Sequence, residues 1–218
     1  MDYVISDLHL GDRGVIRFER TEFATVEEHD AALVRYWNST IVNKDDTVYF
    51  LGDLCDNASK KEMLAYLQTI VPKLRGHKIM IRGNHDHFKD EDYLALGFER
   101  VITGPYFYRP NLILSHEPCR EAYENPYVWN IHGHLHNAEL ELPNYKCVSA
   151  RHIKYKPMSL TKYAMMINSH TKKRTERFMA EWYTPYYNFM KYELQYDENG
   201  RVDSKKTIEL AIPRKTFF

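Results

Sequence analysis

Five times before residue 137, a short apolar run stops and hands the chain directly to a small cluster of Asp, Asn and His. Tyr3-Val4-Ile5 leads into Ser6-Asp7-Leu8-His9, and Thr47–Leu51 into Gly52-Asp53-Leu54-Cys55-Asp56. Lys78–Ile81 leads into Arg82-Gly83-Asn84-His85-Asp86, Leu112–Leu114 into Ser115-His116, and Val128–Ile131 into His132-Gly133-His134-Leu135-His136. Runs this short and apolar read as strands, the most continuous of them buried on both faces. Strands that release polar side chains only at their exits place function along one edge of a sheet. Between the first three runs the period changes. Thr25 with Glu28 forms a capping box ahead of Val26, Leu33, Val34, Trp37 and Ile41 at helical spacing, and Ser59 with Glu62 opens a second helix that Pro72 closes. After a short helix ending near Gly97 the pattern becomes strand-rich, with Phe98–Ile102, Tyr106–Tyr108 and Tyr145–Val148 joining the runs above. The order predicts a layered α/β domain built on two sheets.

Composition sets the bounds of this reading. A chain of 218 residues and 26.0 kDa, 44% hydrophobic and 28% charged, buries a full core without disulfides or structural metals. No apolar run approaches the ~20 residues of a membrane span, and Met1-Asp2-Tyr3-Val4-Ile5 lacks the basic start of a signal peptide. Cys55, Cys119 and Cys147 are an odd number without zinc-like spacing, so reduced thiols and a cytoplasmic location are expected. Thirty basic and thirty acidic side chains cancel, which gives no electrostatic case for nucleic acid.

Past Pro157 the character shifts. Residues 157–218 hold eleven Lys or Arg against seven Asp or Glu, a net of +4, and the remainder holds nineteen against twenty-three, a net of −4. The expected division is a main domain at 1–157 and an accessory extension at 158–218. In the extension, Leu160, Tyr163, Ala164 and Ile167 suggest a helix, and Asn199-Gly200 is placed to turn a hairpin between Tyr192–Tyr196 and Ile208–Ile212. Lys172-Lys173-Arg174 and Arg177 precede Trp182, Tyr183, Tyr186, Tyr187, Phe189 and Tyr192. Basic residues beside aromatics bind single strands, but docking of the tail on protein is the favoured reading.

The strand exits supply Asp7, His9, Asp53, Asn84, His116, His134 and His136, a mixture of carboxylate, amide and imidazole donors suited to divalent manganese, iron, zinc or nickel. Seven such groups exceed one tetrahedral site and suit two adjacent metals that share a carboxylate. In Asp7-x-His9 and His134-x-His136, extended backbone is expected to point both members of each pair the same way. Gly52, Gly83 and Gly133 stand directly before Asp53, Asn84 and His134, where a residue without a side chain permits a sharp turn and close backbone approach.

Taken in order, Asp7-Leu8-His9, Gly52-Asp53-Leu54-Cys55-Asp56, Gly83-Asn84-His85-Asp86, His116 and Gly133-His134-Leu135-His136 resemble the scattered signature of the calcineurin-like metallophosphoesterases. The resemblance spans most of residues 1–157 and implies a four-layer α/β/β/α sandwich with a dinuclear site at the sheet edges. It implies that Asp7, His9 and His136 hold one metal, that Asn84, His116 and His134 hold the other, and that Asp53 bridges them. His85 is implied to stand near the leaving-group oxygen as general acid, oriented by Asp56.

Chemistry of this kind fits a phosphoesterase. Two divalent ions at ~3.5–4 Å acidify water toward neutral pH, and their charge stabilises a phosphoryl transition state. Hydrolysis of phosphate mono- or diesters by in-line attack of a metal-bridging hydroxide is the expected reaction, with two divalent ions, manganese first, as cofactors. The expected partner is a phosphorylated small molecule or nucleotide, with no membrane and with nucleic acid not favoured. A nuclease guided by the basic aromatic tail is the first alternative, and a non-catalytic metal-binding interaction module is the second. Simpler roles fall to the remaining candidates. Asp86 is read as capping its turn, His132 as packing beside the site, His87 as a solvated loop residue, and Cys55 as a small buried filler. Arg13, Arg17 and Arg120 are weaker candidates for gripping substrate phosphate.

Overall fold

A computed structural model describes residues 1–18, 22–56, 60–125 and 127–167. The first strand, β1 (Asp2–Ile5), is followed by α1 (Arg13–Phe18), α2 (Val26–Thr40), β2 (Thr47–Phe50), α3 (Lys60–Ile70), β3 (His77–Ile81), α4 (Asp90–Ala95) and β4 (Arg100–Ile102). Then come β5 (Tyr106–Arg109), β6 (Leu112–Ser115), α5 (Arg120–Glu124), β7 (Trp129–His132), β8 (Tyr145–Cys147) and β9 (Met158–Ser159). One sheet runs β4-β3-β2-β1-β9, parallel throughout except for β9, and the other runs β5-β6-β7-β8 with only β5 antiparallel.

Strand alternation sorts the side chains into two cores. Ile5, Val48, Phe50 and Met80 face the helices and pack with Leu33 and Trp37 of α2 and Leu67 of α3. Val4, Tyr49, Leu51 and Ile81 face the other way and meet Leu112, Leu114 and Ile131 of the second sheet. On that sheet's far side, Ala122 of α5 and Cys119 are buried. The order is therefore helices, sheet, sheet, helix, the α/β/β/α sandwich expected, with a thin fourth layer.

Helix α2 starts where the capping box placed it: Thr25 Oγ1 accepts from Glu28 N–H at 3.1 Å, while Glu28 reaches back to Ala24 N–H at 2.9 Å. The partner box at Ser59 lies outside the described residues. A 3-10 turn at Val71–Lys73, with Pro72 inside it, ends the α3 segment.

The division expected after Pro157 cuts through a compact unit that spans Met1–His170. Strand β9 pairs antiparallel with β1, Tyr3 opposite Ser159 and Val4 opposite Met158. Residues 160–167 are helical and bury Leu160, Ala164 and Ile167 in the core between the sheets. The physical reason is that β1 needs a second neighbour, and without β9 its outer edge would be left unpaired. The expected hairpin around Asn199-Gly200 and the basic aromatic run at 172–192 lie outside the described residues.

Candidate metal centre

All five strand exits arrive at one edge. Beyond β1 and β2 the backbones stay zipped, with Asp7 N–H donating to Gly52 O at 2.9 Å, His9 N–H to Asp53 O at 3.1 Å and Leu10 N–H to Leu54 O at 2.8 Å. Gly133 N–H donates to His116 O at 2.8 Å, which joins two exits of the second sheet. His134 N–H lies 3.1 Å from each carboxylate oxygen of Asp7 and ties the two sheets together across the site.

The expected parity argument does not describe how the pairs converge. β1 ends at Ile5 and β7 at His132, before the ligand candidates begin. Asp7, His9, Asp53, His134 and His136 instead take left-handed backbone conformations, with φ between 44° and 66°. A residue with a Cβ loses about 1–2 kcal/mol in that region, although Asp and His tolerate it better than most. Such strain persists where surrounding structure over-determines it, and it concentrates at functional sites. Among the described residues the other non-glycine positions with positive φ are Lys154 and Tyr155.

The glycines allow the exits to touch. A Cβ on Gly83 would lie 2.2 Å from Asp53 Oδ1 and 2.6 Å from Asp53 N, and one on Gly133 would lie 2.5 Å from Asp7 Oδ2. Gly52, at φ +83°, rests against Gly83 backbone at a Cβ distance of 2.3 Å.

Two trios of donors result. Asp7, His9 and His136 form one and Asp53, His116 and His134 the other, and within each the donor atoms lie within 4.8 Å of one another. Asn84 Oδ1 joins the second trio, 2.8 Å from His116 Nε2 and 2.9 Å from His134 Nδ1. Asp53 Oδ2 stands between the trios, 3.2 Å from His116 Nε2 and 3.8 Å from His9 Nε2. Asp7 Oδ1 lies 3.8 Å from His136 Nε2, and the His9 and His136 rings stack at 5.1 Å.

These residues fit divalent cations. Both ring nitrogens of His9 are buried and find no hydrogen-bond partner among the described residues, a costly state for imidazole unless something else occupies its lone pair. Burial lowers the His9 pKa despite the charges of Asp7 and Asp53, favouring the neutral ring that binds metal. His116 hydrogen-bonds through Nδ1 to Leu51 O at 2.8 Å, which fixes the tautomer and aims Nε2 at the cluster. Burial works to lower the His116 pKa, but the hydrogen bond and charge of Asp53 overcome it and raise it to about 9. Burial likewise works to raise Asp53, and the His116 interaction, the His85 N–H and His9 outweigh it to hold the carboxyl below its ordinary value.

His85 stands beside the trios. Its backbone N–H donates to Asp53 Oδ1 at 3.0 Å, and its ring meets His9 edge-on at 5.6 Å. Its Nδ1 lies 3.1 Å from Asp56 Oδ1, and the side chain is 39% exposed. Asp86 caps the turn and does more: its carboxylate accepts from Asp53 and Gly83 N–H at 2.7 Å and from Leu54 N–H at 3.1 Å. It thereby clamps the second and third exits together. His132 is fully buried with Nδ1 2.8 Å from Gly133 O, and His87 is exposed.

Among the arginines, Arg13 lines a shallow cleft beside Gly11, with Glu27, Glu62, Met63 and Tyr66. Arg17 is exposed on α1, and Arg120 is 85% exposed and paired with Glu124 one helical turn on.

Two supporting residues are absent from the sequence reading. Ser6 Oγ donates to Asp7 Oδ2 at 2.6 Å, and adjacency to Asp7 was the available signal. Asp30 accepts from Gly11 N–H at 2.8 Å and from Tyr66 O–H at 2.7 Å, which anchors the loop after His9. No local pattern marks that contact, because it joins residues nineteen apart through a helix face.

The chain is similar to several known proteins. A family model described as calcineurin-like phosphoesterase matches residues 3–207. An uncharacterized protein of Methanocaldococcus jannaschii is 33% identical over 180 residues, covering 79% of this chain and 94% of that one. The Gene 66 protein of Mycobacterium phage L5 is 41% identical over 160 residues, covering 61% and 75%. A solved protein of unknown function from Aquifex aeolicus shares the fold at a TM-score of 0.59 and 24% identity, over 76% of this chain and 98% of its own.

Proposed function

This chain belongs to the calcineurin-like phosphoesterases, metal-dependent hydrolases of phosphate esters, and we propose that it works with two metal ions, Asp53 shared between them, and His85 as its general acid. The observation that carries the reading is Asp53 Oδ2 between an imidazole of each trio, 3.2 Å from one and 3.8 Å from the other. Asp7, His9 and His136 would hold one ion, and Asn84, His116 and His134 the other. Bound there, a pair of divalent cations, manganese foremost, supplies Lewis acidity toward the phosphoryl oxygens and a water ionised near neutral pH.

The remaining duties fall to the protein. Two carboxylates among the donors leave the loaded cluster net positive, which draws in a phosphate dianion. His85 borders the trios yet remains partly open, as a proton donor to a departing alkoxide must. Asp56 engages Nδ1, so Nε2 carries the proton toward the leaving oxygen. General acid help of this kind contributes ~10²–10⁴-fold. The substrate class is a phosphate mono- or diester of a small molecule or nucleotide. The sequence retains every donor and the candidate acid His85, which argues against a non-catalytic metal-binding module, and the tail on which a nuclease reading depends lies outside the described residues.

The experiment separates the roles. Asp53→Asn is expected to lose bound metal and activity together. His85→Ala is expected to keep its metal while turnover falls ~10²–10⁴-fold on alkyl phosphates and much less on a nitrophenyl ester. Metal analysis and rates over mono-, di- and pyrophosphate substrates read both. Full turnover by His85→Ala on an alkyl phosphate would remove the acid assignment.

A further inference from the structure

Arg82 follows β3 and sends its side chain along the loop that it begins. Its backbone N–H donates to Ile102 O at 2.9 Å, so the sheet still holds the residue as the chain departs toward Asn84 and His85. The side chain is 17% exposed, largely withdrawn from solvent. Nη1 donates to Asp86 O at 2.7 Å, while Nη2 donates to Phe88 O at 2.7 Å and pairs with the Asp90 carboxylate. The ring of Tyr93, fully buried on α4, lies 4.8 Å from the guanidinium carbon and supports its plane.

This side chain secures one side of the turn that carries His85, and other groups secure the opposite side. His85 N–H donates to Asp53 Oδ1 at 3.0 Å, and the carbonyl of the next residue, Asp86, is the one that Nη1 holds. The Asp86 carboxylate meanwhile accepts from Gly83 and Asp53 N–H at 2.7 Å. Backbone on both sides of His85 is therefore pinned. The His85 side chain is 39% exposed, so packing encloses only part of it and the backbone beneath sets much of its reach. A planar guanidinium can fork between two carbonyls, which an ammonium acting as a point charge does not do. Both terminal nitrogens are committed to the turn and α4, which sets Arg82 apart from a substrate ligand.

We infer that Arg82 is a positioning residue for the general acid: by holding the Asp86 and Phe88 carbonyls it sets the place of the His85 ring relative to the leaving-group oxygen. The inference rests on the reading of His85 as the acid and adds to it a residue outside the seven donors. Six of those donors, all but Asn84, come from exits other than this turn, so bound metal should survive loss of the fork. The acid is more sensitive. A misplacement near 1 Å at reacting geometry costs on the order of 10²-fold, within the ~10²–10⁴-fold that an acid contributes.

The test is a double-mutant cycle in the full-length, manganese-treated protein, with Arg82→Gln, His85→Ala and the two combined. Arg82→Lys is a second variant, which keeps a charge near Asp90 and Tyr93 but cannot fork across two carbonyls; it takes the place of Arg82→Gln in the cycle if that variant does not fold. Each protein is measured for bound manganese and for turnover of an alkyl phosphate and of a nitrophenyl ester, whose leaving group needs little acid help. Both Arg82 variants are expected to keep wild-type manganese, to slow on the alkyl phosphate about tenfold or more, and to stay within about threefold of wild type on the nitrophenyl ester. In the His85→Ala background the Arg82 change should add no further loss, because residues that act as a unit are not additive. Loss of manganese, equal slowing on both esters, losses that multiply in the combined variant, or wild-type turnover of the alkyl phosphate by Arg82→Lys would each overturn the inference. A His85→Ala variant at wild-type rate on the alkyl phosphate would remove the acid reading and this role together, whereas the Arg82 outcomes would remove this role alone.

Discussion

Replacing Gly83 with alanine adds one methyl group where the second and third exits meet, and its consequence can be worked from distances. The new Cβ would stand 2.2 Å from Asp53 Oδ1, 2.6 Å from Asp53 N and 2.9 Å from His116 Nδ1. Real Cβ atoms essentially never approach a neighbour within 3.0 Å, so something must move by at least 0.8 Å (3.0 minus 2.2). Rotating the Asp53 carboxylate does not suffice, because its backbone nitrogen is also too close. The shift must pass to the Asp53 backbone, which Asp86 holds at 2.7 Å, or to Gly83, which the same carboxylate holds at 2.7 Å. A misplacement near 1 Å at reacting geometry costs on the order of 10²-fold in rate, and overpacking costs about 1–3 kcal/mol in stability.

Gly104→Ala is the control. Its φ is +88° and no atom lies within 4 Å, so it incurs only the backbone penalty, about 1–2 kcal/mol. Urea denaturation should therefore rank the two variants similarly, while metal content and turnover on a phosphate ester separate them. Gly104→Ala should keep both, and Gly83→Ala should lose bound metal and about a hundredfold of turnover. If Gly83→Ala held its full metal complement and worked within about threefold of wild type, the claim that the glycine sets the position of Asp53 would be wrong.

Two further outcomes follow from the supporting residues. Asp86→Asn places an amide NH2 against at least one of the backbone N–H groups the carboxylate now accepts, and a buried donor left unpaired costs about 1–3 kcal/mol; a melting curve unchanged from wild type would show that the clamp is unnecessary. Burial pushes the Cys55 and Cys119 thiols from 9.0 up to about 12, lowering the thiolate fraction at pH 8 roughly a thousandfold. A raised thiol pKa keeps the proton on, so iodoacetamide at pH 8 should spare both in the native protein and modify them in urea, with mass spectrometry of the digest as the readout. Labelling of native Cys55 at the rate of a free thiol would refute its reading as a small buried filler.

What the sequence made legible was local. Each of the five strands that feed the centre announced itself by an apolar run that stops at a polar residue or glycine, and the helix after Thr25 by a box that closes within four residues, because those signals concern neighbours in the chain. Strand β9 was missed, since two residues carry no period and exist as a strand only by pairing with β1. Helix α1 gave no sign because six residues are too few to repeat a helical period. The candidate donors were legible as residue types at strand exits. Their approach through left-handed backbone was not, since that conformation is imposed by distant partners such as His134 N–H on Asp7. Asp30 was invisible for the same reason: nothing near it in sequence says that it holds Gly11 and Tyr66.

The antiparallel partner of β1 has a bearing on biosynthesis. The strand whose exit carries Asp7 and His9 is translated first, yet its outer neighbour, Met158–Ser159, emerges long afterwards. Until then a nascent chain would expose a raw hydrogen-bonding edge next to half-assembled donors, a situation that invites pairing with the wrong strand or capture of a stray ion. Completion of that edge thus waits on residues 158–159, and a chain truncated before them is expected to aggregate instead of merely working poorly.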